Sequence, residues 1–162
     1  MKKFVILSCL ALAFAPSYAG SRAPAKLQAA LIIKLLPYYN NLGNKEFTIH
    51  VVSAPDVAEL LQQRVGQNAG KAKLVSVTAS DSMPSGQVDV LYVGENANTG
   101  TAFSKEKGVL SITGNPDLIE AGVTLGIGLE DSKPKVYLNL ASSKAEGVDW
   151  NPAILKVAKK VG

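Results

Sequence analysis

Few side chains in this sequence could do chemistry, and they stand apart from one another. His50 is the sole histidine, set between Ile49 and Val51 in the run F-T-I-H-V-V, with no nucleophile or second ligand near it in sequence. A lone imidazole there reads as a structural or strand-face residue. Zinc needs three or four nitrogen or sulfur ligands, and one histidine with one cysteine, Cys9, does not supply them. Gly126-Ile127-Gly128 lacks a third glycine and is followed by a turn and a strand, so it is no dinucleotide fingerprint. Glycines within a strand mark a bulge or the close approach of another part of the chain. Gly94 and Gly100 bracket E-N-A-N-T without the Gly-Lys-Ser/Thr ending of a phosphate loop. Neither a catalytic set, nor a metal site, nor a cofactor is expected.

The polar residues that follow the predicted strands are the better candidates. Open α/β sheets take ligands in the crevice at the carboxyl ends of their strands. Those ends carry Ser53 and Asp56, then Gly94, Glu95, Asn96 and Asn98, then Thr113, Gly114 and Asn115. Asp56, Glu95, Asn96, Asn98 and Asn115 are therefore the candidate ligand or partner crevice. The competing reading is that they are turn formers and helix caps, which Asn, Asp and Gly supply anyway. Asn139, which interrupts Tyr137-Leu138-Asn139-Leu140, and Trp150, before Asn151-Pro152, read as structural. The first would tie down a turn or cap, and the second would staple onto a closing helix.

The elements that must position these residues follow from periodicity. Leu27, Ala30, Leu31, Leu35 and Tyr38 recur at helical spacing, with a kink or early stop expected at Pro37. Phe47–Val52 is a strand; Ser53 is a candidate cap and Pro55 opens a helix carrying Val57, Leu60, Leu61 and Val65. Lys73–Thr78, Val88–Val93 and Val109–Thr113 are further strands, the last reached through a weak helix between Asn96 and Lys105. Val123, Leu125, Ile127 and Leu129 alternate with small residues, Asp131-Ser132-Lys133-Pro134 breaks the pattern, and Val136, Leu138 and Leu140 resume it: an antiparallel hairpin. Ile154, Leu155, Val157, Ala158 and Val161 then predict a closing helix behind Asn151 and Pro152. Strands alternating with helices imply crossovers over a mainly parallel sheet. The expected fold is α/β, a three-layer sandwich in a flavodoxin- or Rossmann-like order with an antiparallel C-terminal edge hairpin.

The C-terminal block resembles the YfiR-like family of small periplasmic proteins. Leu129-Glu130-Asp131, Leu138-Asn139-Leu140, Ala145-Glu146-Gly147 and Ile154-Leu155-Lys156-Val157-Ala158 stand where that family has its Gly-rich strand ending, its Asn-bearing strand, its Ala-rich segment and its closing helix. Glu95 and Gly114-Asn115 also fall where it has an acidic residue and Gly-Asp. The resemblance implies the same three-layer architecture. It also implies a protein of the Gram-negative periplasm that binds the periplasmic part of a membrane-bound sensor, a diguanylate cyclase in the best-known cases, and holds it inactive. Well-known members draw on disulfides; a mature form of this chain without Cys9 could not.

The ends agree with export. Lys2 and Lys3, the apolar stretch Phe4–Ala15 and Ser17-Tyr18-Ala19 read as a signal peptide, residues 1–19, cleaved after Ala19. The apolar run before Cys9 is short for a lipoprotein signal, and the whole stretch falls short of the roughly 20 residues that span a bilayer. Residues 20–162 are then one domain, localised to the periplasm. The net charge of +4 falls to about +2 without Lys2 and Lys3, and the remaining cations are scattered among acidic residues, which argues against nucleic acid as a partner. Lys156, Lys159 and Lys160, with Lys144, read as a solvated helix face, with contact to anionic headgroups or an acidic partner as the alternative. A secreted domain without a nucleophile, metal set or cofactor loop is expected to be a non-enzymatic regulatory or binding protein. The alternative is a small-molecule binder that serves a transporter.

Overall fold

In β2, Glu46–Val52, the side chains alternate: Phe47, Ile49 and Val51 go to one face of the sheet and Thr48, His50 and Val52 to the other. The same division runs through β5 (Val90–Val93), β6 (Leu110–Thr113), β7 (Leu125–Glu130) and β8 (Lys133–Asn139). These strands are all close to fully buried at their centres, so both faces must be covered. The chain is seen in a computed structural model that describes residues 20–162; the predicted signal peptide and Cys9 lie outside the described residues.

The sheet has nine strands in the order β3-β4-β2-β5-β6-β7-β8-β9, with β1 (Ser21–Arg22) paired to β7. β3 is Asn68–Ala69, β4 Ala72–Ser80 and β9 Ala158–Val161. The pairs β4/β2, β2/β5, β5/β6 and β6/β7 are parallel, so the central five strands follow the flavodoxin-like order. β7 and β8 form the expected hairpin about Asp131 and Ser132, both at positive φ (50° and 61°), as a tight hairpin turn requires.

One face carries α1 (Ala25–Leu35) and α2 (Pro55–Gln62); Ala29, Ile32, Val57 and Leu61 pack there on Ile49, Val90, Leu110, Ile112 and Leu125. The other carries α3 (Ala97–Lys107), α4 (Asp117–Glu120) and α5 (Leu140–Glu146), with Ile119 and Phe103 against Leu91, Val93 and Tyr137. Helix α1 ends before Pro37, which falls in the first turn of a 3₁₀ segment, Leu36–Tyr38, where its missing N–H costs little. Its buried stripe is Gln28, Ala29, Ile32 and Leu35, turned from the one predicted; Leu27 and Leu31 are half-buried. Ser53 does not cap α2. It sits at φ 53° and its hydroxyl donates to Asp81, while Ala54 holds the cap position and Pro55 starts the helix.

The closing helix expected over Ile154–Val161 is absent. Asn151 does cap a turn, its Oδ1 accepting from the Ala153 amide at 3.0 Å, but the turn is a 3₁₀ segment, Pro152–Lys156. The chain then runs into β9, parallel to β8, with Val136, Tyr137, Leu138 and Asn139 opposite Ala158, Lys159, Lys160 and Val161. Spacing of seven puts Ile154 and Val161 on one helical face, yet a short helix barely nucleates alone, and the 3₁₀ turn buries Ile154 while strand pairing buries Val161. The hairpin is consequently not the edge of the sheet; β9 is. The short helices α4 and α5 carry too few residues for their period to be read.

Candidate functional site

Each candidate crevice residue sits beyond the carboxyl end of a parallel strand: Asp56 after β2, Glu95, Asn96 and Asn98 after β5, Asn115 after β6. Asp56 lies in the first turn of α2, where its Oδ1 takes the Val57 amide at 2.9 Å. Asn96 holds the position before α3 at φ 55°, and the Asn98 carbonyl accepts from the Thr101 hydroxyl at 3.2 Å. Asn115 Oδ1 receives the Asp117 amide at 3.2 Å at the start of α4. Asp56, Glu95, Asn96 and Asn98 are exposed and Asn115 is half-exposed. No hydrogen bond joins any two of the five among the described residues. They form a polar rim and not a converging set.

What lies between them was not legible in the sequence. In a sheet of this order the ligand crevice opens between β2 and β5. Here Gly94 closes it: a Cβ on Gly94 would stand 2.4 Å from the Ser53 carbonyl oxygen. The segment from β1 to α1 crosses the neighbouring ends. Gln28, buried, donates from Nε2 to the Ala23 carbonyl at 2.6 Å and accepts from the Tyr92 hydroxyl; that hydroxyl accepts from the Gly114 amide at 3.1 Å. Arg22 reaches the Gly94 carbonyl at 3.4 Å. Burial pushes the Tyr92 phenol up to about 12, so it stays a donor at any physiological pH. Gly114 is required, since its Cβ would overlap the Gln28 amide at 1.9 Å. The signal available in the sequence was Gln28 itself, a polar residue on an apolar helix.

The remaining polar groups sort by what they touch. His50 Nδ1 lies 2.7 Å from the Thr78 hydroxyl, and Nε2 lies 3.1 Å from the Ser82 carbonyl and 3.2 Å from the Ser80 hydroxyl. A carbonyl can only accept, so Nε2 is the ring nitrogen that donates to Ser82, and in the neutral ring Nδ1 then accepts from Thr78. Ser80 in turn donates to the Ser82 carbonyl at 2.8 Å, so its proton is directed at that carbonyl and not at the neighbouring imidazole. Glu146, the last residue of α5, is 1% exposed and turned to β6; the Ser111 amide donates to its Oε2 at 3.1 Å and the Ser111 hydroxyl to its Oε1. Burial raises its carboxyl above the usual range, against the lowering effect of those bonds. Asn139 Oδ1 accepts from the Ser142 amide at 3.0 Å, capping α5, and its Nδ2 donates to the Ile119 carbonyl at 3.0 Å. With no closing helix to staple, Trp150 packs on Tyr39, ring centres 5.9 Å apart, and donates to the Ser143 hydroxyl at 2.6 Å.

At the opposite rim, the amino ends of β2, β5 and β6, lies a cavity of about 530 Å³ walled by Tyr39, Pro84, Val88 and Phe103 with Lys45 and Asp89. Lys45 and Asp89 are paired at 2.7 Å, and Asp89 also takes the Thr48 amide at 2.9 Å. Tyr39 is pushed up to about 12 by burial, then by the charges of Asp89 and Glu146. Among the described residues no group of three His, Cys, Asp or Glu side chains could hold a metal ion, and no helix is long and apolar enough to cross a membrane.

Comparison with known proteins agrees with the C-terminal pattern. A family profile described as YfiR/HmsC-like matches residues 25–159, and the chain belongs to that family. No curated protein matches at a significant level. Among solved structures, the chain is similar to a conserved domain protein from Vibrio cholerae O1 biovar El Tor (16% identity, TM-score 0.53, 88% of this chain and 61% of that one). It is also similar to an ABC domain from Streptococcus pneumonia in complex with L-Trp (18% identity, TM-score 0.55, 86% of this chain and 60% of that one). The chain thus spans about three fifths of the length of either structure, and at these identities the likeness is one of α/β fold alone.

Proposed function

We propose that this chain is a non-enzymatic periplasmic regulator that controls a membrane-bound sensor, a diguanylate cyclase or a kinase, by direct contact with the sensor's periplasmic part. The observation that carries the reading is the family match over residues 25–159, which supports a regulatory role at the family level. Export would follow from cleavage after Ala19. Control of this kind is stoichiometric: the domain prefers one conformation of the sensor and shifts its population by no more than the difference in affinity for the two states. The rim of exposed Asp56, Glu95, Asn96 and Asn98 with half-exposed Asn115 suits protein contact, because the crevice is closed where Gly94 meets Ser53 and the neighbouring strand ends are filled by Gln28 and Tyr92.

Deletion of the gene should activate the sensor, raising cyclic-di-GMP where the sensor is a cyclase. A version lacking residues 1–19 should fail to restore control, since it stays on the wrong side of the membrane. Restoration by the leaderless form would overturn the periplasmic reading. Glu95→Ala with Asn115→Ala should leave folding intact and weaken control if the rim is the contact.

A second reading, a solute binder associated with a transporter, is favoured by the cavity at the opposite rim, whose 530 Å³ falls within the size range of small-ligand sites. Saturable calorimetric binding of an envelope solute, without capture of any sensor from the same genome, would decide for it.

A further inference from the structure

We propose that the outer edge of β9 accepts an extended acidic segment of a partner protein, which adds to the sheet as a further strand. The sheet order ends at β9, which pairs only with β8 among the described residues. Its far side therefore presents backbone N–H and C=O groups that another strand can satisfy. Two apolar side chains lie exposed just before it: Leu155 is 42% and Val157 49% exposed, among the few large apolar residues left at the surface. Lys156 and Lys160 are exposed on the same stretch, and Lys159, exposed too, lies 3.5 Å from Glu130.

The charge chooses the occupant. A second copy of β9 would bring Lys159 and Lys160 against their own counterparts, an unfavourable cross-strand pairing in either direction. An acidic strand meets Lys156 and Lys160 favourably and offers the backbone ladder as well. Anionic lipid would use the lysines but leave the edge unpaired. The opposite margin of the sheet lacks this combination, because β4 beyond Lys73 carries no charged side chain to select a partner. The proposal does not depend on which membrane protein, if any, the chain regulates.

The test uses the protein from residue 20 to 162 and three probes: a capped peptide alternating Glu with Val, the same peptide with alternate backbone amides N-methylated, and vesicles containing phosphatidylglycerol. The Glu/Val peptide should bind saturably and slow amide exchange at Ala158–Val161. N-methylation should weaken binding at least tenfold, since it removes the donors a strand needs while keeping every charge. Lys156→Glu with Lys160→Glu should weaken it at least tenfold and create binding to the corresponding Lys/Val peptide. Both positions are exposed, so thermal melting should be nearly unchanged. Binding to the vesicles without binding to the peptide would overturn the proposal in favour of a membrane surface. Peptide binding indifferent to N-methylation would reduce it to bulk electrostatics, and protection of β9 through self-association would make the occupant a second copy. Each of these results would be reached whether or not a sensor is ever captured, so failure here is distinct from failure of the regulator reading.

Discussion

The two faces of the sheet are built from the same strands and held in different ways. On the face covered by α1 and α2, β6 presents Leu110 and Ile112; on the face covered by α3, α4 and α5 it presents Ser111 and Thr113, equally buried. The first face is apolar almost throughout, and burying such surface is the dominant favourable term in folding. The second carries buried Ser111, Asn139, Ser143 and Glu146, each held by directed hydrogen bonds, with the Thr124 amide donating to the Ser111 hydroxyl. A hydrogen bond contributes only about 1 kcal/mol net, whereas leaving a buried group unpaired costs about 1–3 kcal/mol. The comparison teaches that the first face supplies stability while the second fixes position. Its short helices are placed by particular contacts, such as the cap from Asn139.

The largest effect that would test this contrast is at Phe47, fully buried on the first face. Phe47→Ala should cost about 3–5 kcal/mol in urea unfolding. On the second face the sensitive feature is space. A Cβ on Gly126 would stand 2.3 Å from Cδ1 of Ile119, so Gly126→Ala must displace α4 or force that side chain off its rotamer, for about 1–3 kcal/mol. Should Gly126→Ala prove the more damaging, the first face would not be the seat of stability.

The polar centre of the second face can be separated by pH. Glu146 is buried and its carboxyl raised, so the folded chain holds that proton more tightly than the unfolded chain, whose value lies near 4.5. Ionising it in place carries a cost that is absent below the unfolded value, grows as pH climbs through the raised folded value, and levels off above it. Glu146→Gln removes this dependence while keeping an amide that can face Ser111. Its stability relative to the parent should therefore rise between pH 4 and pH 8, as read from urea midpoints. A flat difference would mean that Glu146 is no costlier ionised in the fold than in the unfolded chain.

How much of this could be read from the sequence follows the same division. Strands β2, β4, β5 and β6 and the β7/β8 hairpin were visible because period two, β-branched content and turn residues agreed. Their parallel order followed from the helices after β2, β5 and β6, while a loop alone joins β4 to β5. The glycines of β7 were legible as points of close approach, and Gly126 and Gly128 do admit Ile119 and Pro116. The β1 strap and the Gln28–Tyr92–Gly114 network were not legible, since they depend on residues 22 to 114 meeting in space. Glu146 lay inside a quoted family pattern, but nothing local marks a carboxylate as buried. The rim residues do stand beyond the strand ends, as their place after each predicted strand implied, whereas the filling of the crevice is a tertiary fact.

The closing segment gives the smallest effect. Ile154, Leu155, Val157, Ala158 and Val161 fit a helical stripe on paper, and in that geometry Leu155 would belong to the core, with a cost of about 2–5 kcal/mol on truncation. In the 3₁₀ turn only Ile154 points inward, 1% exposed, while Leu155 remains 42% exposed. Leu155→Ala should consequently stay within about 0.5 kcal/mol of the parent, as surface changes do, and Ile154→Ala should show the full core penalty. A strand and a helix place neighbouring residues differently: successive side chains alternate across β9, so no stripe of three or four can be buried at once. A large loss at Leu155 would mean that the segment packs as a helix in solution, and the free edge of β9 would vanish with it.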